Sequence, residues 1–79
     1  MNEYKVKRFV DSARELEIPV CVETVSGREF YGHPFRSDGD NCVIVVGEAR
    51  SWAIPLPHVE RVSYDFESDE GRAVLARFA

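Results

Sequence analysis

Apolar side chains recur at Val6, Phe9, Val10, Ala13 and Leu16, the i, i+3, i+4, i+7, i+10 spacing of one helical face. The spacing predicts a helix over residues 3–17, with Asn2 as its N-cap. Pro19 is expected to stop it, because the residue before a proline avoids the α region. The polar face carries Lys5, Arg8, Asp11, Ser12 and Glu15 and reads as a solvated surface with helical ion pairs.

Beyond Pro19 the period falls from 3.6 to 2. Val20, Val22 and Thr24 alternate with Cys21, Glu23 and Val25, and Ser26-Gly27 makes a tight turn into residues 28–32. Gly32 inside that second strand implies a bulge or sharp bend. Ser37-Asp38-Gly39-Asp40-Asn41 is built from turn formers and reads as a loop. Residues 42–46 form an apolar central strand, and 47–50 the next turn. In Ser51–Val62, Trp52, Ile54 and Leu56 share one face, Pro55 points away from it, and Pro57 ends the strand. A short turn of 3₁₀ type follows, with Val59 entering the core, and Val62, Tyr64 and Phe66 alternate as a last strand. Ser68 is placed to cap a short C-terminal helix with an apolar stripe of Val74, Leu75 and Phe78.

The pattern describes one mostly β domain over residues 1–79. A helix at about 3–17 leads into a strongly bent five-stranded SH3-like barrel at about 19–66, and a short helix follows at about 69–78. Closure of the sheet would remove the edges that so few strands otherwise expose. A chain of 79 residues buries a small core, so oligomerisation is a natural aid to stability.

Charge and cysteine content narrow the chemistry. The net charge of −4 is concentrated after the last strand, at Asp65, Glu67, Asp69 and Glu70, which disfavours non-specific nucleic-acid binding. Cys21 and Cys42 lie in apolar runs without metal-ligand spacing. Their reading is small buried hydrophobes, with a disulfide or a metal site as the alternatives. The longest apolar run, residues 43–46, is far too short to cross a membrane. The N-terminus lacks a secretory apolar core, so the location expected is cytoplasmic.

The run from Val20 to Val62 resembles the Sm-like family, which includes Sm and LSm proteins and bacterial Hfq. The likeness lies in Gly27, Gly32, Asp38 and Asn41, in the order of the first Sm motif, and in the apolar frame Ile54, Leu56 and Val59 of the second. The Asp38–Asn41 interval is one residue shorter than the usual pattern. The Arg-Gly pair of the second motif is absent, as is the Tyr-Lys-His of Hfq. The likeness covers about residues 3–66. The resemblance implies a non-catalytic homo-oligomeric ring, built by pairing strand four of one subunit with strand five of the next. Its pore loops would hold single-stranded RNA. A bacterial Rho-termination inhibitor family shares this fold with an acidic surface, and the net charge here fits that comparison too.

No catalytic, P-loop or zinc signature occurs, and no cofactor or metal is implied. The residues expected to contact RNA are His33, Phe35, Arg36, Asp38, Asn41 and His58, with Tyr31 beside them. Those expected at a subunit interface are Trp52, Ile54, Pro55, Val62 and Tyr64. Phe35 or His33 would stack a base, whereas core or interface packing is the alternative for Phe35 and Tyr31. The missing Arg-Gly and the acidic tail keep a second reading open, a protein-interaction adaptor on the same fold.

Overall fold

The computed structural model describes residues 2–37, 39 and 41–78. Helix α1 spans Glu3–Leu16, and the Asn2 side chain caps it by accepting from the Lys5 amide at 2.8 Å. Its buried positions are Val6, Val10 and Ala13; of the rest of the expected stripe, Phe9 is half-buried and Leu16 exposed. The helix ends before the proline acts. Glu17 takes a left-handed conformation (φ 57°, ψ 41°), and its N–H donates back to the carbonyls of Ala13 and Arg14. This cap is usually made by glycine, so chain reversal at Glu17 replaces Pro19 as the stop.

Five antiparallel strands follow: β1 (Val20–Thr24), β2 (Glu29–Arg36), β3 (Cys42–Val46), β4 (Ser51–Pro55) and β5 (Val59–Tyr64). Their order in the sheet is β4-β3-β2-β1-β5. A 3₁₀ turn, Leu56–His58, joins β4 to β5. The sheet is open, with β4 and β5 as its two ends.

Strand β2 is longer than the expected 28–32 because it serves two partners. Residues 29–32 pair with β1 and residues 33–36 pair with β3. The handover is at Gly32 (φ 156°), where a Cβ would stand 2.3 Å from the Val46 carbonyl oxygen. Only a residue without a side chain lets β2 cross the end of β3 this closely. His33, beyond the expected end of this strand, therefore lies within β2.

The prolines in the strands follow from the ladder. Ser37 N–H donates to Cys42 O, so alternate residues Phe35 and His33 also face β3 with their backbone polar groups. Pro34 then faces the other way, past the point where β1 has stopped pairing, and it loses no ladder bond. On β4, Leu56 N–H donates to Asn41 O, and Gly47 N–H donates to Arg50 O. With the Val43↔Ile54 and Val45↔Trp52 register, residues 50, 52, 54 and 56 bond to β3. Ser51, Ala53 and Pro55 turn their backbone outward. The missing donor of Pro55 thus falls on the free edge of the sheet.

The core gathers Val6 and Val10 of α1 with Val20, Val22, Val43, Val45, Ile54, Leu56, Val59 and Val62. At the C-terminus, α2 spans Asp69–Arg77, capped by the Ser68 hydroxyl, which accepts from Gly71 N–H at 3.0 Å. Strand β5 stops two residues before the expected end at Phe66, because Asp65 begins a turn. Its carboxylate accepts from the amides of Glu67 and Ser68. Of the expected α2 stripe only Val74 is buried. Leu75 is 49 % and Phe78 67 % exposed. Both cysteines are free thiols and only half-buried, where burial was expected. No described helix is long and apolar enough to cross a membrane.

Candidate functional site

The residues expected to contact RNA fall into two groups. His33, Phe35 and Arg36 lie on the second half of β2 and meet the helices. His33 Nε2 is 2.6 Å from Glu70 Oε1 of α2. The Arg14 guanidinium of α1 sits 4.4 Å from the centre of the Phe35 ring, a cation–π contact. Arg36 Nε lies 3.0 Å from Asp11 Oδ1. Each of these side chains is engaged inside the molecule.

Asn41 and His58 form the second group. The Asn41 carbonyl accepts from Leu56 N–H at 2.9 Å, which fastens Asn41 to the start of the 3₁₀ turn. The Ser37 hydroxyl accepts from the amides of Asn41 and Cys42. His58 is exposed, and its carbonyl accepts from Val25 N–H. Asp38 lies outside the described residues.

The expected interface residues are mainly interior. Ile54 and Val62 are buried, Trp52 packs against the Phe30 ring at 5.3 Å, and Tyr64 packs against Phe9 at 4.4 Å. Pro55 alone has an exposed side chain. Association through β4 or β5 would therefore rest on backbone rather than on these side chains.

A third cluster, on the outer face of β1, β2 and β5, was not anticipated as a site. The register sets Cys21 opposite both Tyr31 and Ser63, and Glu23 opposite both Glu29 and Arg61. Tyr31 OH donates to Glu29 Oε2, and the Cys21 thiol donates to the same oxygen at 3.5 Å. Arg61 Nη2 lies 3.4 Å from Glu23 Oε2. A depression of about 380 Å³ opens here, lined by Cys21, Glu29, Tyr31, Arg61, Asp65 and Glu67 among others. A second, of about 470 Å³, shares Tyr31 and Asp65 and continues over Val46 toward Glu48 and Glu70. The two form one surface with Tyr31 and Val46 as its apolar ground and carboxylates around it. Alternation in the sequence put Cys21, Glu23, Glu29 and Tyr31 on one side of the sheet. Their convergence with Asp65 and Glu67 depends on β5 lying beside β1.

The hydrogen bond from Tyr31 holds Glu29 below the usual carboxylate range, and the thiol of Cys21 adds to this. The same bond, given to an anionic acceptor, pushes the Tyr31 phenol up. Burial, with Glu29 alongside, raises the Cys21 thiol. The lowered Glu29 stabilises the fold above its unfolded titration range and loses that contribution as pH falls through its lowered value. The raised Tyr31 stabilises it below the ordinary phenol range and loses the contribution as pH rises through its raised value. Both groups face solvent, so screening keeps these effects small. Tyr31→Phe is expected to raise the titration midpoint of Glu29 in carboxyl-resolved NMR and to delete the latest phenol from the absorbance titration. An unchanged Glu29 midpoint would mean the bond does not form.

Among the described residues, no group of three or more His, Cys, Asp or Glu side chains is placed to hold a metal ion. Comparison of the chain with the profiles of known protein families, with curated proteins and with solved structures found no match.

Proposed function

We propose that the chain is a non-catalytic binding module on an Sm-like barrel, and that its partner is a protein presenting an exposed cationic segment. The strand order β4-β3-β2-β1-β5, with β2 bent at Gly32 and a helix ahead of β1, supports the barrel reading. The observation that carries the partner reading is the acidic surface on β1, β2 and β5. Among the described residues, Glu23, Glu29, Asp65 and Glu67 line its first depression and Arg61 is the one cation there. Glu48, Asp65 and Glu70 line the second. Such a surface attracts Lys or Arg side chains and repels phosphate.

An RNA-binding homo-oligomeric ring is the second reading. The fastening of Asn41 to Leu56 supports it, because it brings Asn41 beside the turn that bears His58. The engagement of His33, Phe35 and Arg36 by the helices and the missing donor of Pro55 on the outer edge of β4 weigh against it.

Fluorescence anisotropy separates the two, using a labelled lysine-rich peptide and labelled U-rich and A-rich RNA, with light scattering for mass. The lysine peptide is expected to bind at low salt, and about tenfold more weakly when Glu29 and Glu67 are both changed to Gln. Salt-sensitive RNA binding by an oligomer several times the monomer mass, with no binding of the peptide, would favour the ring.

A further inference from the structure

We infer that the free edge of β4, with the groove beside it, is a docking site for a short extended peptide that alternates apolar and acidic residues. Two independent features meet there. The first is the backbone. Ser51 and Ala53 direct N–H and C=O groups away from β3, Pro55 adds a carbonyl, and no described strand pairs with them. An added strand satisfies such groups and gains main-chain hydrogen bonds. Because Pro55 offers no donor, the row ends there, and the length that can pair is about that of β4 itself.

The second feature is the groove, about 410 Å³, between β4 and the β1–β2 turn. One wall is Ala53, Ile54 and Pro55 of β4. The other is Val25 and Arg28 of the β1–β2 turn with His58 of the 3₁₀ turn, and Phe30 also lines it. Val25 is 61 % exposed here, a large apolar side chain for so open a position. Among the described residues no carboxylate lines this groove, in contrast to the acidic surface. Arg28 lies over the Phe30 ring at 5.0 Å from its centre and has no carboxylate partner among the described residues. A guanidinium held by an aromatic ring, near an exposed imidazole, accepts a carboxylate in a geometry already half organised.

The occupant follows from these features. Its main chain extends β4, an apolar side chain rests on Val25 and Phe30, and acidic side chains reach Arg28 and His58. Charge excludes a lysine-rich segment from this groove, so the site differs in partner chemistry as well as position from the acidic surface, and the inference does not depend on that surface.

The test is an ¹⁵N–¹H NMR titration of the whole chain with the acetylated peptide Asp-Val-Thr-Val-Asp, and in parallel with its Lys-Val-Thr-Val-Lys counterpart. The acidic peptide is expected to shift the amides of residues 51–54, 25, 28 and 58. At these same amides the lysine peptide should bind at least about tenfold more weakly, whatever it does at the acidic surface. Ala53→Pro removes the second outward donor without touching the β3 ladder and should abolish the shifts. Arg28→Glu leaves the edge intact and should weaken binding by a similar factor, which guards against misfolding of the proline variant. Glu29→Gln should leave the acidic peptide's shifts at residues 51–54 unchanged. The inference is overturned if both peptides shift the amides of residues 51–54 with equal affinity, by shifts that avoid residues 51–54, or by an absence of shifts. It is also overturned if a concentration-dependent rise in mass shows a second copy on the edge, or if only single-stranded RNA moves these amides.

Discussion

Replacing Gly32 by alanine is expected to lower the unfolding free energy by about 3 kcal/mol, through forced overpacking and an unfavourable backbone conformation together. A Cβ at residue 32 would lie 2.3 Å from Val46 O, 2.7 Å from Val46 C and 3.0 Å from Gly47 N. All three are backbone atoms, so no rotamer change relieves the contact. Val46 is held in register with His33 and Ser51. Moving it would unpick β3 from both neighbours. In a domain of this size the melting midpoint should fall by more than about 10 °C. Gly27→Ala is the control. Gly27 also has a positive φ, 89°, but a Cβ there meets nothing within 4 Å. Its cost should be only about 1 kcal/mol. Chemical denaturation of both variants measures the difference. Equal losses would show that β2 does not cross β3 closely at residue 32.

Gly71→Ala is expected to release α2 while leaving the sheet folded. The added Cβ would fall 1.8 Å from Asp65 O, another backbone atom. Asp65 cannot give way easily. Its N–H donates to Pro19 O at 2.8 Å, and its carboxylate holds the amides of Glu67 and Ser68. The helix must therefore lift. Val74 and Gly71 are its buried residues, so the loss should be about 2 kcal/mol, the value of one buried aliphatic side chain. A nine-residue helix without packing does not persist in water. Amide exchange should become fast over residues 69–77 and stay slow in β1, β2 and β3. The His33–Glu70 contact should disappear with it. Slowly exchanging amides in α2 of the variant would refute this account of its docking.

Much of the architecture was legible because local rules agree with the tertiary outcome. Asn2 and Ser68 are side-chain caps, a relation set within three residues. The alternation of Trp52, Ile54 and Leu56 was read as one face, and Ile54 and Leu56 are buried while Trp52 packs against the core. Leu75 and Phe78 show where the rule stops. A helical stripe says which side chains share a face, but not whether another element is wide enough to cover them. Cys21 and Cys42 lie in apolar runs, yet both are half-buried, since position along a strand does not say which side of the sheet is covered.

The candidate site was legible residue by residue and not as a set. His33, Phe35 and Arg36 were read as groups available to a ligand, and α1 and α2 engage all three. The acidic surface was visible only as a charge count near the C-terminus, because its remaining members come from β1, β2 and the β3–β4 turn.

Residue order alone was enough for the number and period of the elements, the two helix N-caps, the apolar sets of the strands and the turns between strands. These depend on contacts between near neighbours, and residue type is enough to specify them. The tertiary structure alone decided that Gly32 is a crossing point and that the missing amide of Pro55 faces outward. It also decided that Glu29, Asp65 and Glu67 share a surface from which Arg28 and His58 are absent. Each of these depends on which strand lies beside which and in what register, a relation between residues far apart in the chain that no local spacing encodes.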